Sequence, residues 1–143
     1  MPAQNRSRPH PDPVQPDRVR RIDGGFAFIP NRFLHDGFFA SLSDAERSLY
    51  FFLLLAGDRN GVSYYSYDRI CTTLEMILDD YIATRNALIA KDLVAFDGTR
   101  FQVLSLPPRP ITHNRTPLVT KNDLERDDPA TIRRLIQQSL GED

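Results

Sequence analysis

Aromatic residues and prolines divide this chain of 143 residues into a middle that is able to form a core and two ends that are not. All nine phenylalanines and all five tyrosines lie between Phe26 and Phe101, whereas ten of the eleven prolines lie outside residues 24–106. Folding needs buried apolar surface to offset the entropy of ordering the chain. We therefore predict one domain at 24–106, between a disordered, proline-rich basic arm at 1–23 and a proline-rich linker at 107–128.

The first long helix of this domain has a clear start. Ser43 and Glu46 have the spacing of a capping box, and the helix is expected to end near residue 56. Because residues 49–55 are apolar on every side, the sequence predicts a central helix that is buried all round. Upstream, the composition of residues 26–29 predicts a short strand, and Pro30 suits the first turn of a short helix.

Two further helices follow a short extended segment at residues 62–65. Ser66 is the predicted N-cap of a helix at 67–74, and Asp79 is the predicted N-cap of a third helix that ends near residue 91. The connection between these two helices contains neither glycine nor proline. This arrangement predicts a helix-turn-helix unit with a tight turn.

A β-hairpin and a last helix complete the predicted elements. Asp97-Gly98 tolerates positive φ angles and predicts a two-residue type I′ turn between strands at 93–96 and 99–106. Beyond the linker, an apolar stripe at helical spacing predicts an amphipathic helix at 129–140. The sequence thus predicts three helices, a hairpin and a separate terminal helix.

The order of these elements resembles the winged helix-turn-helix superfamily. The residues that carry the resemblance are Ile70 and Leu74 on the second helix, Leu88 on the third, and the Leu93-Val94 step into the hairpin. The resemblance implies an α+β, mainly α fold, with a three-helix core and the hairpin as its wing. Residues 29–34 and the helix around 49–56 are further similar to the N-terminal domains of phage and plasmid replication initiators and of small bacterial mobile-element proteins.

The resemblance implies that the partner is double-stranded DNA. In such a fold the third helix lies in the major groove, while the wing and flanking basic residues hold phosphates. The contacts expected on the domain are Arg69, Thr84, Asn86, Lys91 and Arg100, and those expected on the arm are Arg18, Arg20 and Arg21. A basic arm can follow a minor groove or a line of phosphates. Replication, transposition or transcriptional control of a bacterial genetic element is the implied setting.

A second function stays open, because the third helix differs from a typical DNA-reading helix. Its exposed face is expected to begin with Asp79 and Asp80, whose charges repel phosphate, and to continue mostly as alanine. Such a small-residue face, or the helix at 129–140, predicts instead a homodimer or a protein partner. The side chains concerned are Ala83, Ala87 and Ala90 on the third helix and Leu135 and Ile136 on the last one.

Arg85 falls in the middle of the apolar face of the third helix. One interpretation is a long side chain that extends to reach a DNA phosphate. The other is a structural ion pair, for which Asp92 lies two turns away on the same face. The structural pair is favoured, because an unpaired buried charge is too costly.

Composition argues against an enzyme, a cofactor and a membrane. The histidines are scattered, Cys71 is the only cysteine, and no nucleophile–base or metal-ligand spacing occurs. No apolar run suits a signal peptide or a membrane span, so a cytoplasmic location is expected. The net charge is −1. It is uneven: five arginines and three aspartates make the arm +2, whereas seven basic and ten acidic residues make the domain −3.

Overall fold

The structure, a computed structural model, describes residues 11–111 and 128–141. Within these segments the helices are α1 (Arg32–His35), α2 (Asp44–Ala56), α3 (Tyr67–Leu74), α4 (Leu78–Ala90) and α5 (Pro129–Gly141), and the strands are β1 (Val62–Ser63), β2 (Val94–Phe96) and β3 (Phe101–Val103). The protein is therefore α+β and mainly helical, with one small antiparallel sheet. The first ten residues of the predicted arm and residues 112–127 of the predicted linker lie outside the described residues.

Helix α2 begins as predicted but is not buried all round. The Ser43 hydroxyl accepts a hydrogen bond from the Glu46 backbone at 3.2 Å, and the Glu46 carboxylate accepts one from the Ser43 backbone at 3.1 Å, so the capping box is confirmed. One side of the helix packs on α4 and β3. Phe51 and Leu55, four residues apart on the other side, are 56% and 64% exposed. The prediction of complete burial is wrong, because α2 lies at the side of the body and not at its centre.

Helices α3 and α4 are joined by a short turn. The predicted bounds of α3 are confirmed, and the Ser66 hydroxyl caps it by accepting from the Arg69 backbone at 3.5 Å. Glu75 then adopts the left-handed conformation, with φ 55° and ψ 44°. The N-cap of α4 is Ile77 and not Asp79, so that prediction is wrong: this sharp turn lets the helix start earlier, which places Asp79 in its first turn.

The predicted hairpin is confirmed, and β1 joins it to give the strand order β1-β3-β2. Only the first two residues of the predicted extended segment 62–65 form a strand. At the tip, the Asp97 carboxylate accepts from the backbone N–H groups of Thr99 at 3.0 Å and Arg100 at 2.6 Å. Within this turn only Gly98 has a positive φ, of 95°. The predicted type I′ turn is therefore wrong, since that turn needs positive φ at two successive residues.

The segment before α1 does not join the sheet. Residues 26–29 form no strand, and Phe26 and Phe28 are 69% and 72% exposed. A segment of strand-forming residues becomes a strand only where a neighbouring strand accepts its hydrogen bonds, and within the described residues no strand pairs with 26–29. The chain enters the body at α1, where the ring of Phe33 stacks on that of Tyr50 at 5.0 Å between centroids.

Helix α5 packs on α4 by its first turns. Ala130 and Thr131 are buried, whereas Leu135 and Ile136 are 56% and 55% exposed. These two side chains therefore do not attach α5 to the domain; polar contacts at the start of the helix hold it instead. Whether they form dimer contacts stays a prediction.

Candidate nucleic-acid interface

The hairpin tip presents Arg100 on a rigid turn. Its guanidinium donates to the Asp97 carboxylate at 2.9 Å, and its side chain is 58% exposed. Hydrogen bonds from the backbone N–H groups of Arg100 and Thr99 lower the pKa of Asp97 to about 2, with a smaller contribution from the Arg100 guanidinium. The pKa of Arg100 is raised by Asp97 first and also by Tyr64. The tip thus presents a preformed ion pair whose guanidinium stays largely exposed to solvent.

Arg69 lies at the start of α3 and contacts Tyr65, whose neighbour Tyr64 interacts with Arg100 at the tip. Its guanidinium carbon is 5.4 Å from the centre of the Tyr65 ring, which itself packs edge-on against Phe52 at 5.1 Å. Among the described residues, Arg69 has no carboxylate within ion-pair distance. Tyr64 and Tyr65 are 66% and 40% exposed and connect Arg69 to Arg100. We call Tyr64, Tyr65, Arg69 and Arg100 the hairpin-tip patch.

Helix α4 does not present the predicted base-reading side chains. Thr84 is only 7% exposed, so its predicted place on the outer face is wrong; it packs against the body. Asn86 is half-buried, and its side-chain oxygen accepts from the Arg85 guanidinium at 3.1 and 3.2 Å. The outward face carries Ala83 and Asp80, both exposed. A helix with this face has few groups with which to distinguish base pairs.

Lys91 is a structural residue in this fold. Its ammonium group donates to the Glu46 carboxylate at 2.6 Å and to the Ser41 backbone oxygen at 2.9 Å. Its side chain is only 16% exposed. The charge is paired between α2 and the end of α4, so this geometry favours a structural role, and the phosphate contact at Lys91 stays a prediction.

Arg85 is fully buried and paired, as the structural interpretation predicts, but its partner is not Asp92. The guanidinium donates to the Asp128 carboxylate at the start of α5, and both side chains are almost inaccessible. Asp92 is exposed, with φ 60°. Sequence reasoning missed Asp128 because it lies 43 residues away. The available signal was that this residue caps the last helix and precedes Pro129.

The described arginines of the arm are exposed to solvent. Arg18, Arg20 and Arg21 are exposed, and the only regular structure described in the arm is a single 3₁₀ turn at Pro16–Arg18. Their predicted contact with DNA stays a prediction.

Other kinds of site have little support in the described part of the chain. There, no group of three or more His, Cys, Asp or Glu side chains is placed to hold a metal ion. Burial raises the pKa of the Cys71 thiol, and Asp68 raises it further. A thiol with a raised pKa is a poor nucleophile at neutral pH. None of the helices described is long and apolar enough to cross a bilayer.

Comparison with known proteins gives no family. The chain matches no protein-family model, no curated protein and no solved structure. Its function is therefore inferred from the geometry of its own residues.

Proposed function

We propose that this chain is a DNA-binding winged-helix protein that holds a duplex mainly by its phosphates. The order α2, β1, α3, α4 and hairpin, with sheet order β1-β3-β2, is the order expected of a winged helix. The observation that carries the proposal is the hairpin-tip patch. There, two exposed arginines flank two exposed tyrosines where the wing would meet a phosphate backbone. The resemblance to replication initiators suggests replication, transposition or transcriptional control of a bacterial element.

From the same geometry we expect the affinity for a duplex to depend only weakly on its base sequence. Phosphate contacts position a protein on a duplex, while base contacts specify the site. Because α4 presents alanine and an aspartate outward, recognition is expected to depend on duplex shape more than on base edges. The acidic start of α4 is less repulsive than its sequence indicates, since Asp79 pairs with Arg134 at 3.1 Å.

Salt-dependent binding tests this proposal. Fluorescence anisotropy with duplexes of unrelated sequence, between about 50 and 200 mM salt, should show affinity falling steeply, with a log–log slope of about 0.9 per neutralised phosphate. Arg69→Gln and Arg100→Gln should each flatten the slope by up to about 1. Arg59→Gln, which removes an exposed arginine from the loop before β1, is the matched control and should change it little. Equal slopes for all four proteins would refute the role of the patch.

A second candidate is a protein-interaction module, and a specific observation favours it. Helix α5 exposes an apolar stripe of Ile132, Leu135, Ile136 and Leu140, which are 43%, 56%, 55% and 70% exposed. The alanine face of α4 is also accessible at Ala83, whereas Ala87 and Ala90 are half-buried. Light scattering over a range of protein concentrations tests it. A dimer that Leu135→Glu dissociates would support this candidate, and a monomer at every concentration would refute self-association.

A further inference from the structure

Helix α5 is attached to the domain by a buried ion pair on the hairpin side of α4. The Arg85 guanidinium carbon lies 5.1 Å from the centre of the Phe96 ring on β2 and 5.7 Å from that of Tyr81. The Asp128 carboxylate that pairs with it also accepts from the Ala130 backbone at 3.2 Å and from the Thr131 hydroxyl at 2.8 Å. The first turn of α5 therefore lies where α4 meets the hairpin.

From there α5 extends over the N-terminal ends of α4 and α3. Arg134 pairs with Asp79 at 3.1 Å in the first turn of α4. Arg133 donates to the Tyr67 hydroxyl at 3.3 Å and pairs with Asp68 at 3.4 Å at the start of α3. In the proposed winged helix, α5 therefore lies over the N-terminus of the helix that would enter the major groove, where such helices contact base edges.

The attachment of α5 is mostly polar. Of its apolar side chains only Ala130 is buried, while its larger apolar side chains are exposed. A buried ion pair holds two elements together less firmly than apolar packing, because both charges regain their hydration when the elements separate. The two outer ion pairs are exposed to solvent and screened by salt. Helix α5 is therefore built to detach more easily than the core helices.

We propose that Arg85 is a phosphate-binding residue and that Asp128 occupies it in cis, so that docking of α5 and binding of a duplex exclude each other. The inference rests on the proposed function. A carboxylate and a phosphate both present negatively charged oxygens that accept hydrogen bonds from a guanidinium. When α5 leaves, Arg85 stays beside the rings of Phe96 and Tyr81, and a phosphate takes the place of Asp128.

The test uses full-length Asp128→Asn, which removes the charge while asparagine keeps the helix cap. This variant should bind a duplex at least about fivefold more tightly than the wild type, the lower end of typical coupling between two sites. Its salt slope should equal that of the wild type, because Arg85 contacts a phosphate in both complexes. Adding Arg85→Gln should remove the gain in affinity and lower the slope by about 0.9, one lost phosphate contact. Asp92→Asn makes the same change of charge at an exposed site and should leave affinity within about twofold of wild type.

Hydrogen exchange separates the possible results. If the Asp128→Asn variant exchanges its α5 amides faster but binds the duplex no more tightly than a wild type that does bind, the inference is overturned and the proposed function stands. If no protein binds a duplex, the proposed function fails and this inference with it. If the variant does not fold, hydrogen exchange in wild-type α5, with and without duplex, tests the inference instead. Because coupling is reciprocal, saturating duplex should speed exchange in α5, and unchanged or slower exchange would overturn the inference.

Discussion

Replacing Glu75 with glycine should stabilise the protein, although it removes a side chain. Glu75 is the left-handed residue that ends α3, with φ 55° and ψ 44°. The Met76 N–H donates to the Cys71 carbonyl at 3.0 Å across it. This is the position where glycine is strongly preferred at a helix C-terminus. The turn sets how α4 leaves α3, so its backbone energy contributes directly to the helix-turn-helix unit.

The magnitude follows from two opposing effects. The left-handed conformation costs a non-glycine residue roughly 1–2 kcal/mol. Glycine makes the unfolded chain more flexible, which costs roughly 0.5–1 kcal/mol. Glu75→Gly should therefore raise the free energy of unfolding by about 0.5–1 kcal/mol, which raises the Tm by about 3–6 °C in a domain of this size.

Urea unfolding followed by circular dichroism measures this change, with an unchanged m-value as the check that only stability has moved. Glu75→Ala is the control, because it removes the carboxylate but keeps the backbone cost. The reasoning is refuted if Glu75→Gly is less stable than wild type, or if Glu75→Ala gains as much as Glu75→Gly.

Three further predictions concern the fold. Ser43→Ala should lower the free energy of unfolding by about 1 kcal/mol in urea titrations, because it leaves the Glu46 N–H without its cap. Ser43→Thr should keep most of the wild-type stability, because threonine also caps helices. Leu53→Ala should cost about 3–4 kcal/mol in the same assay because Leu53 is fully buried, whereas Phe51→Ala, on the exposed side of α2, should cost under about 1 kcal/mol. Asp97 should make stability depend on acid: its folded pKa of about 2 lies below the unfolded value of 3.8, so its contribution is complete above about pH 4 and is lost as the pH falls towards 2. The stability difference between wild type and Asp97→Asn should therefore shrink over that interval, and a constant difference would contradict the assigned hydrogen bonds.

Elements with local signals were predictable from the sequence. The capping box of Ser43 and Glu46 and the cap at Ser66 depend on residues three apart, and the structure has both. The hairpin also follows from local composition. The prediction of its turn type was wrong because the Asp97 side chain, and not the Asp97 backbone carbonyl, accepts the hydrogen bonds at the tip.

Features that depend on distant residues were not predictable. Burial of α2 depends on which side meets α4, so Phe51 could not be told from Leu53 by hydrophobicity alone. Lys91 was predicted to contact phosphate because its partner Glu46 is 45 residues away. The partner of Arg85 required the position of α5 in space, which no local pattern contains.

The candidate site was predictable only in part. Arg69 was identified as a basic residue of the second helix and Arg100 as one beside the wing turn, and the structure leaves both accessible. Their connection through Tyr64 and Tyr65 was not predicted, because it depends on how the strand end, α3 and the hairpin tip come together in space. An aromatic cluster beside a strand indicates packing by default, and only its measured exposure shows otherwise.

Mapping a bound duplex by NMR tests the central claim most directly. In a titration of the isotope-labelled protein with a short duplex at low salt, the amides of residues 64–70 and 97–101 should show the largest shift changes, and these should fade as salt is added. Changes confined to the apolar stripe of α5, or no changes at any duplex concentration, would contradict the account.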